Sequence, residues 1–284
     1  MNILEKIGGK LKRQLKMLSD DIVNSALDAA RFEFGHEDFS DIRIADSFET
    51  IAYILEGTLS FGRYGDGEFN IIFGKSIEFQ KYSEKLSERL LSVLNSNEKN
   101  FCIGIPRFYF YPDERLRTPQ RRFVRGWVRE NRNEIISLLD IKKVYYDTCA
   151  TQLYALRNNN NLNAYFNFMR KIWHSKRVVV VCGENSFKKV SPDLVDNALE
   201  ISYIRGPSKD AFEKCDELIA QVLRYTKDTV VLISLGPTAT VMAYDLYTLG
   251  YQAIDIGHTF KDYYMFKKNE TMNSMSILNY YKGD

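Results

Sequence analysis

The chain is short of the residues from which disulfide and zinc sites are built. Its 284 residues include four cysteines and three histidines. Cys102, Cys149, Cys182 and Cys215 lie far apart and form no C-x-x-C pair, which argues against a zinc site and a disulfide framework. A reducing, cytoplasmic setting fits that usage. No apolar run of about 18 residues occurs, and the N-terminus lacks the apolar core and small-residue cleavage site of a signal peptide. The expectation is a chain that neither spans a membrane nor is exported by that route. An excess of one charge is missing too: 39 Lys and Arg stand against 37 Asp and Glu. With no nucleic-acid motif present, no polyanion partner is expected. There is no internal repeat or convincing linker, and low complexity is confined to residues 158–161.

What remains is an ordinary globular composition, 45% hydrophobic and 27% charged, long enough to bury a full core. Ile3, Leu4, Ile7, Leu11, Leu15, Leu18 and Ile22 recur at helical spacing among Lys6, Lys10, Lys12, Arg13 and Lys16. Such a helix can pack on its own domain or a partner, or lie at a membrane surface as a peripheral contact. Residues 1–46 therefore read as an amphipathic extension and residues 47–284 as the main domain.

From residue 58 onward, short β-branched or aromatic runs alternate with amphipathic segments. Strands are expected over 58–64, 101–105, 143–148, 177–182, 200–204, 229–235 and 252–256, and helices over 82–94, 119–139, 208–225 and 238–249. The run Val178-Val179-Val180-Val181 implies burial on both faces. That predicts an α/β, Rossmann-like fold, a mostly parallel sheet with helices on both faces. Ligands of such sheets bind beyond the carboxyl ends of the strands.

Tyr64-Gly65-Asp66-Gly67-Glu68 ends the first of these runs. Flanking glycines let a tight turn bring Asp66 and Glu68 together, and one or two carboxylates suffice for Mg²⁺ or Mn²⁺ when substrate phosphates complete the shell. The competing reading is a solvated hairpin turn, for which Asp-Gly is a strong marker. Ser234-Leu235-Gly236-Pro237-Thr238-Ala239-Thr240 joins a strand to a helix start, where unpaired N–H groups favour a phosphate, although Thr238 could simply cap the helix. Asp255 follows Gly236 at about the spacing at which dinucleotide folds place a ribose-binding acid, but G-x-G-x-x-G is missing. Ser208 reads as a helix cap, and Arg205 could reach a phosphate. Thr118-Pro119 reads as cap and first turn of a helix carrying Arg121, Arg125, Arg129 and Arg132 on one stripe. His258 stands at a strand end, facing the expected crevice.

Phe61-Gly62-Arg63-Tyr64-Gly65-Asp66-Gly67-Glu68-Phe69, the segment 235–246 and Gly250 through His258 together resemble the bacterial GT-D-fold glycosyltransferases, long a domain of unknown function. Ile103-Gly104-Ile105-Pro106 and Gly206-Pro207-Ser208 agree, and the resemblance runs from about residue 47 to 263. It implies a nucleotide-sugar donor, commonly UDP-glucose, and a glycan, glycoprotein or lipid-linked acceptor at the cell surface. It also implies an Asp-x-Glu motif holding Mn²⁺ or Mg²⁺, here Asp66 and Glu68. Arg63, Gly65, Ser208, Gly236, Pro237, Thr238, Thr240 and Asp255 become candidate donor-binding residues. His258, Asp262 or another carboxylate could serve as base. Phe260 and Gln152 depart from the family pattern, where Asp and Arg are usual, and a decayed, non-catalytic binder or a phosphosugar isomerase stay open as alternatives.

Overall fold

The computed structural model describes residues 41–157, 161–184 and 192–269. The amphipathic segment expected between residues 3 and 22 lies outside the described residues, as does most of the low-complexity tract at 158–161. The described residues from Ile42 to Asn269 belong to one compact unit. Among the described residues no helix is long and apolar enough to cross a membrane.

Eight strands form a single sheet in the order β1-β4-β3-β2-β8-β7-β5-β6. They are β1 (Arg43–Ile44), β2 (Ser60–Arg63), β3 (Phe101–Ile105), β4 (Val144–Asp147), β5 (Arg177–Gly183), β6 (Glu200–Gly206), β7 (Val230–Ser234) and β8 (Gln252–Asp255). Every pairing is parallel. The expected α/β sheet with helices is therefore what the chain builds, and all seven expected strands are present within a residue or two of their ends. Val178 through Cys182 are each at most 1% exposed. Burying each such valine contributes roughly 1.5–3 kcal/mol, which sets β5 inside the sheet with helices on both faces.

The helix Pro237–Thr248 packs on β2 and β8, and its residues from Pro237 to Ala243 are all buried, so its apolar residues run right round rather than along one stripe. The helix Ser47–Gly57 starts with a capping box. Asp46 accepts from the amides of Phe48 and Glu49, and Glu49 returns a bond to the Asp46 amide at 2.8 Å. Beneath it, Arg157 is 3% exposed and bridges buried acids. Its Nε lies 2.6 Å from Asp113, its Nη2 3.1 Å from Asp147, and its Nη1 donates to Ser47 Oγ at 2.6 Å. Those charges tie β4 to the loop before residue 118.

Three local expectations are corrected. The segment 208–225 does not start as a helix at Ser208. A 3₁₀ turn, Ala211–Lys214, precedes the helix Cys215–Val222, and Asp210 precedes that turn with φ 53°. The loop is held instead by Asp210, whose carboxylate accepts from the Lys81 amide at 2.7 Å and whose own amide donates to Phe79 O at 2.8 Å. The segment 119–139 is not one regular helix. Thr118–Phe123 and Arg129–Ser137 are joined by a π turn, Val124–Val128, which breaks the single arginine stripe. Arg117, not Thr118, stands at the first cap position, with Pro119 inside the first turn.

β2, β3 and β4 step outward on one side, whereas β8, β7, β5 and β6 fill the other. The two halves meet where β2 pairs β8, with Phe61 opposite Ile254. In open α/β sheets that switch of direction is where a crevice forms beyond the strand ends.

Candidate active site

β2 ends at Arg63 and is followed at once by the helix Asp66–Ile72, so the turn reading of Asp66-Gly67-Glu68 is corrected: both carboxylates belong to the first helical turn. Glu68 folds back and accepts from the Gly65 amide at 2.8 Å. Gly65 has no side chain to return the bond. Acids here also suit the positive end of the helix. Burial first, and then the neighbouring Asp255 carboxylate, push the Glu68 carboxyl up to about 7. Asp66 stays open to solvent, yet the chain packed around it still raises its carboxyl above the ordinary range.

β8 ends at Asp255, 3% exposed, which gathers three donors. Gly257 N–H donates to it at 2.9 Å and Thr240 Oγ1 at 3.1 Å, while Arg63 Nη1 lies at 3.5 Å. Burial raises the Asp255 carboxyl, and Arg63, the Gly257 amide and the Thr240 hydroxyl pull the other way. The Arg63 guanidinium occupies the space that a side chain on Gly257 would fill. A Cβ there would stand 1.6 Å from Arg63 Nη1, and Gly257 has φ +47°. Ser234 Oγ fixes the same residue by donating to Gly257 O at 2.7 Å. Arg63 Nε is buried without a hydrogen-bond partner. His258 follows, partly exposed, at the cap of the helix Thr259–Lys267. Burial, with Arg63 and Lys261 beside it, lowers its imidazole to about 4, so it is neutral at physiological pH.

The third component is the turn before Pro237–Thr248. Gly236 has φ 56° and ψ −144°, a conformation that favours glycine, and it stands at the cap position expected of Thr238. A Cβ on Gly67 would meet Ile77 Cδ1 at 3.3 Å and Pro237 Cγ at 3.9 Å. Two motifs far apart in sequence thus touch beside the β2–β8 junction. Both threonine hydroxyls point into the protein. Thr238 is fully buried and donates to Gln80 Oε1 at 3.4 Å, and Thr240 donates to Arg63 O at 2.6 Å as well as to Asp255. Thr238→Val is accordingly expected to cost about 1 kcal/mol of stability and to leave nucleotide affinity unchanged. Denaturant melts and calorimetric titration with UDP read the two effects separately.

With Asp66, Glu68 and Asp255 set against one guanidinium, the cluster has an excess of hard oxygen donors and no thiol, which suits Mg²⁺ or Mn²⁺. Among the described residues no group of three or more His, Cys, Asp or Glu could hold a metal ion by itself. A cation here would need substrate oxygens and water to complete its shell.

The family of proteins described as glycosyltransferases of GT-D fold matches residues 61–281. The chain belongs to the GT-D family. It is 32% identical over 225 residues to a probable glycosyl transferase, Gly, of Streptococcus gordonii, which covers 77% of this chain and 32% of that protein. It is 27% identical over 263 residues to the glycosyltransferase GlyD of Streptococcus pneumoniae serotype 4, covering 89% and 30%. The chain spans about a third of the length of these curated relatives. A structure described as a new glycosyltransferase from Streptococcus sanguinis matches with TM-score 0.76 and 27% identity, over 82% of this chain and 87% of that one. A second, of a domain described as having a distinct glycosyltransferase fold, matches with TM-score 0.74 and 31% identity, over 81% and 83%.

Against the GT-D pattern, Arg63, Gly65, Asp66, Glu68, Gly236, Pro237, Thr240, Asp255 and His258 come together around the β2–β8 junction. Thr238 lies behind them, and exposed Ser208 sits beyond β6, the far edge of the sheet. Asp262 is fully buried, and its oxygens accept from the amides of Tyr154 and Ala155 at 2.9 and 2.7 Å; it anchors a helix start. Phe260 is 4% exposed within the core and Gln152 is 7% exposed, so both departures from the family pattern lie at buried positions. The Arg63–Gly257 contact was not foreseen. Its only trace in the sequence is a glycine two residues beyond Asp255.

Proposed function

We propose that this chain is a metal-dependent glycosyltransferase that moves a sugar from a nucleotide-sugar donor, UDP-glucose or a close relative, to a glycan, glycoprotein or lipid-linked acceptor in cell-surface glycan synthesis. The observation that supports this best is the junction itself, where Asp66 and Glu68, the Arg63–Asp255 pair and the Gly236 turn meet. In this reading Asp66 and Glu68 would hold a Mn²⁺ or Mg²⁺ ion, which would supply charge neutralisation at the donor diphosphate. Arg63, held in place by Asp255 and supported on Gly257, binds the diphosphate from the other side. The Gly236–Pro237 turn presents the helix start to the nucleotide phosphates. His258, neutral and partly open, accepts a hydrogen bond from the acceptor hydroxyl, an imidazole lowered to about 4 being too weak a base to take its proton outright.

Calorimetric titration with UDP tests the reading. Binding is expected with Mn²⁺ present and lost with EDTA; equal binding in both would overturn metal dependence. A pH series adds a second check. Because the Glu68 carboxyl is raised to about 7, an ion must displace its proton below that pH and meets a ready carboxylate above it. Apparent Mn²⁺ affinity is therefore expected to fall by up to about tenfold per pH unit below 7 and to level off above it. Flat affinity from pH 6 to 8 would remove Glu68 as a ligand.

A further inference from the structure

The turn Val124–Val128 lies against the motif helix. Trp127 Nε1 donates to Asn70 Oδ1 at 3.2 Å. Asn70 follows Asp66 by one helical turn and so shares its face of the helix Asp66–Ile72. Trp127 is therefore held about one turn beyond the open carboxylate. Phe123 stacks on it, with ring centroids 5.5 Å apart and planes inclined by 8°. Tyr109, 1% exposed, backs both rings. Phe123 and Trp127 each keep part of their surface in water. π turns inside helices occur frequently at functional sites.

Between these rings in sequence stands Gly126. Inside a helical segment glycine costs about 1 kcal/mol relative to alanine, and neither usual reason for it applies. Gly126 is absent from the glycines with positive φ. A Cβ there would meet nothing within 4 Å, so no part of the chain needs the space it leaves. The result is a stretch of open backbone beside the stacked aromatic pair, whose indole reaches the face of the motif helix that carries Asp66. A pyranose ring matches this surface, because its C–H face packs on aromatic carbon while its hydroxyls stay at the rim.

We infer that the Phe123–Gly126–Trp127 surface receives the terminal sugar ring of the acceptor. The assignment rests on the glycosyltransferase reading and deepens it by naming a neutral saccharide, seated on aromatic carbon, as the acceptor element recognised. Gly126→Ala places a methyl group over the open backbone that the sugar would cover, and Trp127→Phe removes the indole donor and part of the stacking surface.

Tryptophan fluorescence offers the readout, since the chain has two tryptophans and the other, Trp173, is 1% exposed in the core. The UDP- and Mn²⁺-loaded protein is titrated with glucose, N-acetylglucosamine and their methyl glycosides. Saturable change is expected in wild type. Gly126→Ala is expected to raise the saccharide Kd about tenfold, with a melting temperature equal to or above wild type and unchanged UDP affinity. For Trp127→Phe the readout is saccharide-dependent shift in protein NMR, and the same weakening is expected. Absence of a saturable response in wild type, or unchanged saccharide affinity in Gly126→Ala, overturns the assignment while leaving UDP binding as the separate measure of the glycosyltransferase reading. Parallel loss of UDP affinity in Gly126→Ala also overturns it, by placing Gly126 in the donor site.

Discussion

Asp66→Asn and Glu68→Gln are each expected to lower sugar transfer, and slow donor hydrolysis, by roughly 100-fold or more, with the fold intact. Both substitutions keep size and hydrogen-bonding shape. Gln at position 68 can still accept the Gly65 amide bond, and Asn at position 66 still suits a first helical turn. What disappears is charge, on which a partly hydrated Mg²⁺ or Mn²⁺ depends when the protein supplies only two carboxylates. Loss of the Glu68 charge should not destabilise the protein, because burial and Asp255 already raise its carboxyl to about 7. If these acids served only the helix start, each would contribute no more than about 1 kcal/mol of stability, and catalysis would be untouched. Rates of UDP release with Mn²⁺, beside thermal melts of the same samples, separate the two roles. Wild-type turnover in both variants, or turnover unaffected by EDTA, would remove the metal assignment.

The sheet was legible because its strands announce themselves. A run such as Val178–Val181 has no other stable place than between two helical layers, and the Gly-Pro turn at 236–237 punctuates the last strand–helix unit. β1 was not legible: two residues, Arg43 and Ile44, are too few to show a period, and they become a strand only because β4 pairs with them. The π turn at Val124–Val128 was equally hidden, since one extra residue per turn leaves composition unchanged. Ser208 was misplaced as a cap because Asp210 takes a left-handed conformation to reach the Lys81 amide, a bond made across 129 residues. Asp66 and Glu68 could be picked out from local chemistry, although their place on a helix rather than a turn could not. The support around them could not be read. The Arg63–Asp255 pair spans 192 residues, and nothing in either neighbourhood names the other.

Gly257→Ala is expected to weaken UDP binding by roughly 10- to 100-fold, the worth of one or two charge-assisted hydrogen bonds. The new methyl group would stand 1.6 Å from Arg63 Nη1, which no rotamer adjustment of alanine can relieve, so the guanidinium must leave its seat. Alanine at φ +47° adds about 1 kcal/mol of backbone strain, small enough for the protein to remain folded. Displacing Arg63 also leaves Asp255 beside Glu68 with less opposing charge, which disfavours the ionised pair. If Gly257 acts through Arg63, the effects of Gly257→Ala and Arg63→Met on UDP affinity should not add, and the double variant should match Arg63→Met alone. Additive losses would mean that Gly257 meets the nucleotide directly through its backbone. Unchanged affinity in Gly257→Ala would show that the seated position of Arg63 has no part in holding the donor.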